Sequence, residues 1–230
     1  MRDRSTAHAN VRRSVATSVD VVLCTPRGRH LEILLVRIHG RVHDGWALPH
    51  APYGPGDTLE RSATRVALQA LGRQPAWLEQ IGAFGGSTRH PTAASLSVGY
   101  VGVTPDGFVQ SRDEARWFPV ARLPALAPRH RAIADAALAA LRDRMDHVPI
   151  AYRLVPSLFT LSALQRIYEL LLGRPLHKAS FRRALQASYL VKPTDEWQSE
   201  GRGRPARLFR YVSHRRGKLH RGLRFDLLGG

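Results

Sequence analysis

The chain has 230 residues, enough for one large domain or two small ones, with 43% hydrophobic and 23% charged residues, ordinary proportions for a globular protein with a buried core. No run approaches the roughly 18 uncharged apolar residues that a membrane span needs. The first residues, MRDRSTAHANVRR, have no apolar segment behind their charges and so do not read as a signal peptide. The formal net charge is +17 and the pI near 11.4, which favours polyanionic partners, nucleic acid first among them. The charge is uneven: residues 1–150 carry +6 and residues 151–230 carry +11. A proteome-wide preference for Arg explains the scarcity of Lys but not an excess over acids.

In chain order, residues 1–14 form a basic N-terminal arm that includes Arg12 and Arg13. VATSVDVVLC, from Val15 to Cys24, is rich in β-branched residues and predicts a strand. Cys24 is the single cysteine. It reads as core filler in a reducing, cytoplasmic setting, since no base stands near it and no partner exists within the chain. A turn over Thr25–His30 and a second strand over Leu31–Arg37 complete a hairpin. A Gly/Pro-rich loop follows, then a helix over Thr58–Leu71 that puts Leu59, Ala63, Val66, Ala67, Ala70 and Leu71 on one face and is closed by Gly72. Leu78–Phe84, Ser95–Thr104 and Ala115–Val120 read as strands. Arg129–Arg144 is an Ala-rich helix with Ile133, Ala136, Ala137 and Leu141 inward. The whole predicts an α/β sandwich with a mixed sheet over residues 15–145.

Residues 146–157 contain two prolines and show no clean period, so the linker between domains is placed there. Beyond it, Thr160 caps a helix from Leu161 to about Leu172, ended by Gly173-Arg174-Pro175. A second helix, roughly His177–Ser188, turns Phe181, Leu185 and Ala184 inward and Lys178, Arg182 and Arg183 outward. Short strands over Tyr189–Lys192 and Ala206–Val212 flank a Gly-rich loop. Helix, turn, basic helix and hairpin, over 158–212, is the order of a winged helix-turn-helix. Residues 213–230 are a basic tail.

Two stretches carry chemistry. From Trp46 the chain reads WALPHAPYGPGDTLERSATRVALQALGR, which resembles the Nudix signature: a strand ending in Leu48-Pro49, a loop at Gly56-Asp57, and a helix with Arg65 and a closing Gly72. In that signature, helix glutamates hold magnesium against a pyrophosphate. Here Asp57 takes the first acidic position, while Val66, Gln69 and Ala70 stand where the core glutamates belong. Asp57 reads instead as a helix-start residue. A fold without catalysis is expected, retaining a nucleotide pocket lined by Arg37, Arg65, Phe84 and Arg89. Each has a plainer reading, as surface arginines or a core phenylalanine. His43, His50 and His90 lack metal-ligand spacing, so neither metal nor cofactor is assigned.

The second stretch runs from Pro156 to Val212. Through Phe159-Thr160-Leu161-Ser162, Tyr168-Glu169, Phe181-Arg182-Arg183 and Arg204-Pro205-Ala206-Arg207 it is similar to the C-terminal domain of the Nudix-related transcriptional regulators, the NrtR family. The resemblance implies a homodimer that represses NAD-metabolism genes from a palindromic operator, relieved by ADP-ribose or a related NAD-derived nucleotide. It also implies a cytoplasmic, nucleoid-associated protein. The fold so implied is a Nudix-like α/β/α sandwich followed by a C-terminal winged helix-turn-helix.

DNA contacts are expected from Thr160 and Ser162 at a helix start, from His177, Lys178, Ser180, Arg182 and Arg183 on the recognition helix, and from Arg202, Arg204 and Arg207 in the wing. Where the family has an acidic, a basic and an asparagine residue, this chain has His177, Ala179 and Ser180, so the resemblance implies DNA binding without specifying the operator. The rival readings are an active Nudix pyrophosphohydrolase acting on ADP-ribose-type nucleotides and a non-specific DNA- or RNA-binding protein.

Overall fold

A computed structural model of the chain describes residues 15–39, 45–54, 56–106, 114–199 and 205–212. The N-terminal arm, the basic tail, His43, Arg202 and Arg204 lie outside the described residues.

Strands β1 (Thr17–Arg27) and β2 (His30–Ile38) form the expected hairpin, but its turn is shorter than the sequence predicts. Arg27 pairs with His30, Pro26 with Leu31 and Thr25 with Glu32. Pro26 is tolerated because its other neighbour, a parallel strand, has already stopped opposite Cys24, so its missing N–H withholds nothing there. Gly28, at φ 55, supplies the left-handed residue of the turn. Two three-residue strands follow, β3 (Gly45–Ala47) on β2 and β4 (His50–Pro52) on β1.

Helix α1 (Leu59–Leu71) starts where Thr58 Oγ1 accepts the Arg61 N–H and ends at left-handed Gly72. β5 (Trp77–Phe84), β6 (Leu96–Val103) and β7 (Ala115–Pro119) complete a sheet of order β3-β2-β1-β6-β5, with β4 joined to β1 and β7 to β2. Only β1 and β6 run parallel, so the sheet is mixed, as expected. Helix α2 spans Pro128–Arg144, its proline at the first turn where no N–H is required.

The continuous apolar run of β1 is explained by burial on both faces. Val19, Val21 and Leu23 pack with Ala63, Val66 and Ala67 of α1. Val22 and Cys24 pack on the opposite face with Ile133, Ala137 and Leu141 of α2. Burial pushes the Cys24 thiol up to about 12, which leaves no thiolate to act as a nucleophile.

The second core does not stop at α2. Met145, Ile150, Ala151, Tyr152 and Leu154 are buried in it, so the aperiodic segment expected as a linker is a packed turn, with a 3₁₀ turn at Ala151–Arg153. α3 (Leu161–Leu172) and α4 (Lys178–Ser188) follow, then the hairpin β8 (Val191–Gln198) and β9 (Ala206–Tyr211). β8 is longer than the predicted strand and pairs with β9 through an irregular stretch between Pro193 and Trp197. Phe159 bridges Phe209 through two backbone hydrogen bonds of 3.0 and 2.8 Å, which ties the wing to the base of α3. Tyr152, Phe159, Tyr168, Phe181 and Leu185 extend the same core.

α2 is therefore covered twice, by the sheet and by α3. That is why Ala134 and Leu138 are buried alongside the expected Ile133, Ala137 and Leu141, while Ala136 is only half-buried.

Candidate functional site

The helix-turn-helix is built from polar contacts as well as apolar ones. Glu169 Oε1 of α3 accepts the Leu176 N–H and the Gln165 side-chain amide, each at 2.9 Å, and Gln165 also donates to Leu176 O at 3.0 Å. These bonds fix the turn from Gly173, left-handed at φ 71, to the start of α4. Phe181 and Leu185 anchor α4 with no exposed surface. The opposite side of α4 presents Lys178, Arg182 and Arg183 to solvent. His177 is the N-cap residue without a side-chain cap, and its Nδ1 lies 3.2 Å from the half-buried Ser180 Oγ.

Ser162 is exposed in the first turn of α3, while the Thr160 hydroxyl is taken up in capping, accepting the Ala163 N–H at 3.0 Å. Arg207 is exposed but tied across the wing, donating to Thr194 O at 2.7 Å and lying 3.4 Å from Asp195 Oδ1. Exposed Trp197 lies on the partner strand of the same hairpin. α4 and the wing thus gather the expected basic residues that fall among those described.

The four residues expected around a nucleotide are not brought together in the same way. Exposed Arg37 stacks on Trp46, its guanidinium carbon 5.1 Å from the ring centre. Arg65 donates to Asp57 Oδ2 at 2.6 Å and to Ser62 Oγ at 3.2 Å. Phe84 is half-buried and packs against the α2-side core, near Gly99 and Ile81. Arg89 is exposed on the loop after β5. Asp57 accepts from Ser62, Arg65 and the Thr58 N–H. The bonds from Ser62 and Arg65 hold its carboxyl below the usual range. Along α1, Val66 is buried in the core and Gln69 is exposed.

The structure also assembles a group that the sequence leaves scattered. Asp20 of β1, His90 of the β5–β6 loop and His130 of α2 meet with fully buried side chains. Both Nε2 atoms reach Asp20 Oδ1, at 3.0 and 3.2 Å, and lie 3.0 Å from each other. His50 stands beside them, its ring centre 5.2 Å from that of His130. The histidines are not dispersed in space, contrary to the expectation from spacing, and among the described residues this trio is the grouping able to surround a cation.

Its hydrogen bonds argue against that use. The Leu48 N–H donates to His130 Nδ1 and the Thr92 N–H to His90 Nδ1, both at 3.0 Å. A ring whose Nδ1 accepts a backbone N–H keeps its proton on Nε2, whereas a metal ligand needs the reverse tautomer. Both Nε2–H groups therefore serve Asp20. Burial works against the Asp20 charge, but the bonds from His130 and His90 outweigh it and hold the carboxyl well below the usual carboxylate range. Burial pulls His130 below its ordinary value, with Asp20 opposing. Next to it Arg129, also buried, spans the same loop with bonds to Gly86 O, Thr88 O and Ala94 O. The signal in the sequence was an aspartate inside an otherwise apolar strand.

Residues 15–141 match the model of the NUDIX domain and residues 151–211 that of the NrtR DNA-binding winged helix domain. The chain is 30% identical over 204 residues to the ADPR responsive transcriptional repressor NtrR of Acinetobacter baylyi, covering 85% of this chain and 81% of that protein. The crystal structure of Shewanella oneidensis NrtR complexed with a 27mer DNA is similar at a TM-score of 0.74 and 28% identity, over 85% of this chain and 93% of that one. A second crystal structure of the Shewanella protein gives a TM-score of 0.72 at 26% identity, over 86% and 94%. No helix among the described residues is long and apolar enough to cross a membrane. With both halves matched in this order, the chain belongs to the NrtR family, a NUDIX domain joined to a DNA-binding winged helix.

Proposed function

We propose that this protein is a transcriptional repressor that grips a palindromic operator as a dimer through α4 and the wing. Its NUDIX half (residues 15–145) receives ADP-ribose or a related NAD-derived nucleotide without hydrolysing it. Residues 146–157 join it to the reading half, 158–212. The observation that carries this reading is the outward basic face of α4, where Lys178, Arg182 and Arg183 stand opposite the anchors Phe181 and Leu185. A helix so held offers its charged side chains to base edges and phosphates. Ser162, His177, Ser180 and Arg207 contact DNA beside them, with Thr160 placing the α3 N-terminus against a phosphate. The family resemblance supports NAD-biosynthesis and salvage genes as targets, hence a cytoplasmic, nucleoid-associated setting.

Loss of hydrolysis follows from ligand chemistry. Magnesium needs several oxygen ligands with negative charge, yet Val66 and Ala70 offer none and Asp57 is already engaged with Arg65 and Ser62. The proposed nucleotide contacts are Arg37, Arg65, Phe84 and Arg89. The test is a gel shift on the DNA upstream of NAD-biosynthesis genes, with a scrambled duplex beside it. A complex specific for the upstream DNA, dissociated by ADP-ribose and lost in Arg183→Ala, is expected. Equal retardation of both duplexes, or magnesium-dependent cleavage of ADP-ribose abolished by Asp57→Ala, would overturn it.

A further inference from the structure

Between the two halves lies a cavity of about 730 Å³, walled by the β1–β2 turn, the end of β7, the C-terminal part of α2 and the α3–α4 turn. Four arginines line it: Arg29 from the hairpin turn, Arg142 from α2, Arg166 from α3 and Arg174 from the α3–α4 turn. Among the described residues the one carboxylate in its wall, Glu169, has Oε1 committed to Gln165 and the Leu176 N–H. Among the described residues no acid pairs with Arg29, Arg142 or Arg166. Arg166 donates to Gly28 O, so the two halves already touch beside the cavity. Leu170 and Leu138 supply apolar wall.

The geometry points to a binding site in this cleft for a small phosphorylated anion, separate from the nucleotide contacts proposed on the NUDIX half. Several guanidiniums facing one concavity focus positive potential and offer paired N–H donors that match phosphate oxygens. The volume falls in the range that holds a nucleotide-sized ligand. Without an anion, Arg29 and Arg142 of one half and Arg166 of the other gather like charge at the joint. With one bound, the hairpin turn and α3 are bridged through it, so binding favours the arrangement seen here over any in which the halves separate. The binding stands on the cleft alone, and its effect on DNA rests on the repressor reading.

The test is calorimetric titration of the full-length protein with inorganic pyrophosphate. Wild type and Arg131→Ala, which removes an exposed arginine paired with Asp135 outside the cleft, should bind alike. Arg29→Ala/Arg142→Ala should bind about tenfold or more weakly, the effect of losing charge-assisted bonds. Arg29→Ala alone, at an exposed turn, should show a smaller loss and guards against misfolding of the double variant. Equal affinity in all four proteins, or no binding by wild type, overturns the proposal. So does a double variant that loses affinity for the upstream duplex in the absence of pyrophosphate, because the arginines would then belong to the DNA backbone.

Discussion

His130 joins three segments distant in the chain: it lies 110 residues from Asp20, 40 from His90 and 82 from Leu48, and it bonds to or touches each of them. His130→Ala leaves the Leu48 N–H without its acceptor and removes a donor from a buried carboxylate. A loss of about 2–4 kcal/mol is expected, read from urea unfolding at pH 7.5. The pH dependence follows from the directions of the shifts. Because folding lowers the His130 value, the unfolded chain takes up a proton as pH falls through about 6.5 while the folded chain does not. Stability should therefore drop on acidification from pH 7.5 to 5.5, and less so in His130→Asn. The depressed Asp20 carboxyl acts in the same direction at lower pH, since its contribution is present above the unfolded carboxylate value and lost below it. This cluster was illegible in the sequence because no local period links a strand, a loop and a helix start. The buried Asp20 alone marked it. Arg129 was equally hidden, and Arg129→Lys, which lacks the guanidinium fork, should speed hydrogen exchange in the 86–94 loop.

Elements with strong end signals were readable. Gly72 ends α1, and Thr160 with Gly173 brackets α3, as the sequence predicts, but the cap of α1 is Thr58, which the sequence places inside the helix after Asp57; the apolar faces agree. β3 and β4 were not readable, because three residues cannot show a period and their pairing is fixed by β2 and β1. α2 concealed its second buried side for another reason: an Ala-rich helix has little polar contrast to display. Two substitutions test element geometry. A Cβ on Gly99 of β6 would stand 2.8 Å from Phe84 Cε2, 3.2 Å from Ile81 and 3.3 Å from Ile133, so Gly99→Ala should cost about 1–3 kcal/mol in thermal or urea unfolding. Tyr189 closes α4 in the left-handed region at φ 56, with its ring exposed. Asn tolerates that conformation better, and Tyr189→Asn should stabilise by about 0.5–1 kcal/mol in the same assay. The proposed nucleotide contacts were the least legible part, since arginines name no partner until the fold shows which carbonyl, acid or ring each one meets.

At the scale of the molecule, the α2-side core runs without interruption from β1 to Phe181 and Leu185. Both halves should then unfold together. In a Trp197→Phe background, which removes the wing tryptophan, Trp46, Trp77 and Trp117 report on the NUDIX half, whereas circular dichroism reports on every helix. Coincident denaturation curves from the two signals are expected, and separated curves would show that the halves melt independently. The uneven charge makes a second prediction. Affinity for the upstream duplex should fall steeply with added salt, with a logarithmic slope close to the number of phosphates neutralised, about 0.9 per contact, and reduced by roughly one such contact in Arg183→Ala.

The double coverage of α2 also decides how the protein can be recombined. A chimera cut at Met145, after α2, would leave the transplanted winged helix without the wall on which α3 rests and expose leucine and alanine surface on the donor NUDIX domain. A cut ahead of Pro128 would instead move the helix with its reader, but it would strip the β5–β6 loop of Arg129 and His130. Exchange of NUDIX domains within the family is therefore expected to succeed only when the partners' α2 surfaces match on both sides, so that this helix travels as a matched pair of interfaces and never as a free spacer.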